Sequence, residues 1–176
     1  MKMFATQLQG LFQKIIAQEE ELEDGARLLA QGPAGAGKIA ICGTPAMAGI
    51  THTLAHHEEA PEAVCAVPNN DVASADFTSS DRLLLCADKG ESQKLCSVLH
   101  EAQKKQVPVV VLAPFSEEES GCELELTDVW IHTQSSSGII PDEHGNRIGQ
   151  PAALCTLFTG QVLYLYIHEI LAELID

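Results

Sequence analysis

The chain has 176 residues, 45% hydrophobic and only 5% aromatic, so one core packed mainly with Ala, Leu, Ile and Val is within reach. Its formal net charge of -15 argues against non-specific nucleic-acid binding and against docking on an anionic membrane surface. Phosphate binding stays open, because backbone donors and helix dipoles act locally.

Residues 3 to 30 carry Leu8, Leu11, Phe12, Ile15, Ile16, Leu22, Ala26 and Leu29 at mostly three- and four-residue spacing. This predicts an amphipathic helix, broken near Asp24-Gly25. The segment lacks an uninterrupted signal-peptide core. Gly32 to Gly37 ends the helix, and KIAIC (38 to 42) reads as a buried strand. Residues 46 to 57 read as a helix, EAVCAV (62 to 67) as a strand, and the polar run from Pro68 to Asp81 as loop or short helix. RLLLCA (82 to 87) is the third strand, and residues 91 to 106 form an amphipathic helix with Leu95, Val98, Leu99 and Ala102 on one face. VPVVVLA (107 to 113) is the fourth strand, SEEESGCELE a solvated acidic loop, and VWIHT (129 to 133) a fifth strand with Trp130 in the core. A long turn-rich connection, holding Asp142, His144 and Arg147, precedes a final helix from Ala152 to Ile175. No run approaches the length of a membrane span.

Strands alternating with helices predict an α/β fold: a three-layer α/β/α sandwich around a mostly parallel, doubly wound sheet of about five strands. A single domain covers 1 to 176, with an N-terminal helical arm at about 1 to 31. Ligands of such sheets sit at the carboxyl ends of strands, here the loops 43 to 47, 88 to 92 and 114 onward.

Two glycine-rich signals compete for a phosphate. Gly32 to Lys38 fits G-x-x-x-x-G-K, but a P-loop needs a strand before it and a helix after it. Here the order is reversed, and Ile39 stands where a magnesium-binding hydroxyl belongs. The second signal, Gly43 to Gly49, has strand-then-helix context, although Pro45 interrupts the dinucleotide-binding glycine spacing. Thr44 there is a ligand contact or a cap residue. The six cysteines form no C-x-x-C pair, and Cys42 and Cys86 sit in apolar strands, which suits a reducing cytoplasm.

The order of G-K-I-A-I-C-G, D-R-L-L-L-C-A-D-K-G-E-S, K-K-Q-V-P-V-V-V-L-A, D-V-W-I-H and G-Q-V-L-Y-L-Y-I-H-E-I-L resembles the SIS (sugar isomerase) domain, in its phosphoheptose isomerase-like branch. It also looks like a small bacterial family of SIS-like proteins of this length. The resemblance implies a sugar phosphate held by hydroxyls of the first two loops. In the first loop the serine position falls at Ala46-Met47; in the second, 87 to 92, only Gly90 and Ser92 match. Asp88 and Glu91 there would repel a phosphate dianion, and Lys89 offsets one charge. The implied ligand-binding residues are Thr44, Lys89, Gly90 and Ser92, with Arg147 as a further cation.

The same resemblance implies a metal and acid–base site on two helices. His52 and His56 are spaced i, i+4, and Gln161 and His168 i, i+7, so each pair shares a helix face. His52, His56, Gln161 and His168 are the candidate zinc ligands, and His56 and His168 the candidate proton-transfer residues. The competing reading leaves these histidines at the surface or satisfied in the interior. The function expected is a cytoplasmic phosphosugar-binding protein of phosphoheptose isomerase type, acting as a homodimer or higher homo-oligomer. The alternative is a non-catalytic SIS module for ligand sensing or assembly.

Overall fold

The sheet is built from β1 (Ile39–Gly43), β2 (Val64–Ala66), β3 (Arg82–Cys86), β4 (Val109–Ala113) and β5 (Val129–His132). In this computed structural model, which describes residues 1 to 174, all five strands are parallel in the order β2-β1-β3-β4-β5. Successive side chains of a strand point to opposite faces. Ile39, Ile41, Leu84, Cys86, Val110, Leu112 and Ile131 therefore form one face, and Ala40, Cys42, Leu83, Leu85, Val109 and Val111 the other. Both faces are covered, as apolar residues on both sides of a strand demand.

The first face packs against helices α2 (Glu19–Ala34), α3 (Ala48–Ala55) and α6 (Ala152–Glu173) through Leu22, Leu29, Leu54, Leu163, Tyr164 and Ile167. The second packs against α4 (Ser92–Lys104) through Leu95, Leu99 and Ala102, at i, i+4 and i+7. The three-layer architecture expected from the alternating pattern is present.

The N-terminal helix is broken, but not at Asp24-Gly25. α1 (Lys2–Ile16) ends before Gln18, and α2 runs through Gly25. Gln18 fixes the break by gripping the end of β5: its Nε2 donates to the His132 carbonyl at 2.8 Å, and its Oε1 accepts the His132 N–H at 3.0 Å. Gly25 instead marks a close approach, since a Cβ there would lie 3.0 Å from Ile131 Cδ1 and 3.3 Å from Val110 Cγ1.

The acidic loop is more ordered than a solvated run. α5 (Glu117–Ser120) starts with a capping box: Ser116 Oγ accepts the Glu119 N–H at 3.2 Å, and Glu119 Oε2 accepts the Ser116 N–H at 2.9 Å. Just beyond it, Cys122 forms a disulfide with Cys96 of α4, which a reading of uniformly reduced cysteines does not anticipate. Cys42, Cys65, Cys86 and Cys155 are free. Trp130 is half-buried, with Nε1 donating to the Phe115 carbonyl at 2.9 Å.

The long connection before α6 folds into a hairpin, β6 (Ile140–Pro141) and β7 (Arg147–Ile148), whose turn is held by Asp142 accepting N–H bonds from His144 and Asn146. The expected helix end at Ile175 lies outside the described residues. α6, at 22 residues, is long and apolar enough to cross a membrane by length and composition, contrary to the expectation that no run reaches that length. Its apolar residues have another use here: Leu163, Tyr164 and Ile167 are buried in the core, and the Tyr164 hydroxyl donates to the Leu54 carbonyl at 2.9 Å.

Candidate functional site

β1 pairs with β2 on one side and β3 on the other. The chain thus leaves β1 in one direction and returns on the opposite side, which opens a crevice above the carboxyl ends of β1 and β3. The Thr44 N–H donates to the Cys86 carbonyl at 2.9 Å, tying the first loop to the end of β3. Gly43 lets α3 close over the strand end: a Cβ there would sit 2.7 Å from Thr51 Cγ2. Beside this point lies a cleft of about 570 Å³, lined by Thr44, Pro45, Asn69, Asn70, Lys94 and Ser97 among others.

Thr44 is 1% exposed, and its Oγ1 has no well-formed hydrogen bond. A buried hydroxyl without a partner is costly in a folded protein and calls for an explanation. Asn69 and Asn70 adopt left-handed backbone, at φ 55° and 52°, a conformation that asparagine tolerates better than most residues. Asn70 Oδ1 accepts the Gly43 N–H at 3.0 Å, so the loop after β2 braces the loop after β1. Lys94 and Ser97 come from the exposed side of α4, one turn apart. Sequence reasoning missed Asn69, Asn70, Lys94 and Ser97. The consecutive asparagines after a strand end and the i, i+3 polar pair were the signals available.

Glu91 sits at the N-cap position of α4, with its side chain only 13% exposed and its Oε1 3.3 Å from Lys94 Nζ. Burial pushes its carboxyl up, but the Thr44 hydroxyl, Lys94 and the Ala46 N–H outweigh that and hold it below the ordinary range. Its Oε2, like Thr44 Oγ1, lacks a well-formed hydrogen bond. The two groups are therefore near each other, both buried, without a good bond between them.

The sequence-predicted ligand residues divide. Thr44 lines the cleft. Lys89 and Gly90 are exposed at the tip of the second loop, where the Lys89 N–H donates to Asp88 Oδ1 at 2.7 Å, and Ser92 opens α4. Arg147 is exposed on the β6–β7 hairpin, next to α1. The rejected P-loop segment lies at the amino end of β1. There the Lys38 N–H donates to Asp81 Oδ1 at 2.9 Å, and Thr78 donates its N–H and hydroxyl to Oδ2.

The predicted metal residues are engaged elsewhere. The His52 and His56 rings lie 4.2 Å apart between centroids, tilted by 41°, and His56 Nδ1 meets the His52 carbonyl at 2.9 Å. α3 ends at Ala55, so the chain turns at His56 and presents His57 to α6, where its Nε2 meets Gln161 Nε2 at 2.9 Å. His168 Nε2 bonds the Glu59 carbonyl at 2.8 Å. Among the described residues no three His, Cys, Asp or Glu side chains come together as a metal site. α3 is short, and the histidine that faces Gln161 of α6 is therefore His57 rather than His56.

The family profile described as Domain of unknown function (DUF2529) matches residues 1–171. Uncharacterized protein YwjG of Bacillus subtilis (strain 168) is 34% identical over 177 residues, covering 98% of each chain. The phosphoheptose isomerase of Francisella tularensis shares the fold at a TM-score of 0.67 and 15% identity, over 94% of each chain. Phosphoheptose isomerase GmhA of Neisseria gonorrhoeae does so at 0.68 and 17%, over 94% of this chain and 95% of its own. Identities this low speak to the fold alone, and that fold is SIS-like. By profile and by its full-length relative, the chain belongs to the DUF2529 family.

Proposed function

We propose that the protein binds a carbohydrate derivative of the phosphosugar class in the crevice at the carboxyl ends of β1 and β3, as a non-catalytic module. The observation that carries this reading is the unpartnered, buried hydroxyl of Thr44 beside a cleft whose other polar walls are Asn69, Asn70, Lys94 and Ser97. Hydroxyls and amides at fixed positions suit a ligand rich in hydroxyl groups. The fold is shared with solved phosphoheptose isomerases, which supports the ligand class. Thermal unfolding against a panel of sugars and their phosphates, sedoheptulose 7-phosphate included, tests it. A ligand at a hundred times its Kd stabilises the fold by about 2.7 kcal/mol. For a chain of this size that raises Tm by roughly 5–10 °C. No shift with any member of the panel overturns the reading.

The second reading is isomerisation with His56 and His168 moving the proton. It requires both imidazoles to leave their present carbonyl partners, His52 and Glu59. Turnover of sedoheptulose 7-phosphate that is lost in His168→Gln would favour it over the binding module. A homo-oligomer in the cytoplasm belongs to the same proposal: α1 buries only Ile15, while Met3 and Ile16 of α1 and Leu154 and Leu165 of α6 are exposed.

A further inference from the structure

We infer that Glu91 is an internal occupant of the anion position of this crevice, so that the resting protein disfavours a phosphate group and admits one only when Glu91 swings out. The inference rests on the reading of the crevice as a ligand site and adds which ligands it selects.

Lys94 Nζ of α4 lies 3.3 Å from Glu91 Oε1, and the Thr44 hydroxyl and the Ala46 N–H of the loop after β1 are near enough to hold the carboxyl below its ordinary range without a well-formed bond from Thr44. Glu91 is also the N-cap residue of the 13-residue α4, whose first N–H groups have no intrahelical acceptor and receive no bond from the Glu91 side chain. Hydroxyl, backbone N–H, lysine and helix N-terminus together make up the environment in which proteins hold a phosphate. Here the chain supplies the negative charge itself. The fit is imperfect, because Glu91 Oε2 and Thr44 Oγ1 are both buried without a well-formed bond. A group with more acceptor oxygens than a carboxylate would offer the Thr44 hydroxyl the acceptor it lacks. A phosphate beside Glu91 would meet a like charge at close range, so it must replace it. Lys94, 60% exposed at its side chain, can follow either anion.

The test is calorimetric titration of inorganic phosphate into the full chain and into Glu91→Ser and Glu91→Gln, with circular dichroism confirming that each variant is folded. Wild type is expected to bind phosphate weakly, and Glu91→Ser at least tenfold more tightly. Glu91→Gln, which removes the charge but keeps the volume, is expected to gain a smaller, measurable factor. It serves as the deciding variant should Glu91→Ser fail to fold. Phosphate affinity unchanged from wild type in the folded variants overturns the inference. If unphosphorylated sugars stabilise wild type while phosphate ignores every variant, the ligand site stands and the role of Glu91 falls. If phosphate binds Glu91→Ser but no sugar binds any form, the role of Glu91 stands and the carbohydrate reading falls.

Discussion

At the scale of single residues, two buried polar groups carry opposite expectations. Thr44 Oγ1 is buried and unpaired, so Thr44→Val removes an unsatisfied group at nearly constant volume. The variant is expected to unfold at the same urea concentration as wild type or higher, by up to about 1 kcal/mol, while losing the ligand-induced rise in Tm. Asp81 is the reverse case, since its two oxygens satisfy Lys38 and Thr78. Burial pushes its carboxyl up, but the Thr78 and Lys38 N–H groups and the Thr78 hydroxyl outweigh it and hold the carboxyl below the usual range. A depressed folded value means its stabilisation is complete above the unfolded pKa and is lost as pH falls through the folded one. Asn cannot accept at both positions, so Asp81→Asn is expected to cost about 2 kcal/mol near neutral pH. The cost should shrink in acid, measured as urea midpoints at several pH values. Thr44 was legible in the sequence because it ends a strand and opens a helix. Asn70 was not, because its role depends on the strand order that sets the loop after β2 beside the loop after β1.

At the scale of elements, α2 meets the sheet closely at Gly25. Gly25→Val would push side-chain atoms into Ile131 and Val110 and is expected to destabilise by about 1–3 kcal/mol. Gln18→Ala removes both bonds to His132 and is expected to cost about 1–2 kcal/mol. It should also raise amide exchange in α1 more than in α2. These sites explain where sequence reasoning succeeded and failed. The strands declared themselves, since runs such as IAIC and VVVLA are apolar on both faces and no surface helix reads that way. The helix break did not. Asp24-Gly25 has a breaker's composition, yet the glycine answers to Ile131, more than a hundred residues away in sequence, and the actual break answers to His132. The placement of the histidines was hidden for a related reason: i, i+4 spacing assumes that a helix continues, and α3 stops at Ala55, which leaves His57 facing Gln161.

At the scale of the whole molecule, the proposal joins a SIS-like fold to a switch-point crevice, with histidines bonded to main-chain carbonyls or to Gln161. The exposed apolar residues of α1 and α6 are the face on which the proposed dimer would form. Leu165→Glu is expected to shift the species seen by light scattering from dimer toward monomer. A wild type that is monomeric at micromolar concentration would remove the oligomer from the proposal. The central claim, that the crevice is the ligand site, is met most directly by amide chemical-shift mapping while a sugar that stabilises the protein is titrated in. The expected result is shifts concentrated at Thr44, Asn69, Asn70, Lys94 and Ser97. Shifts clustered instead around His52, His56 and His168, or none at all, would contradict it.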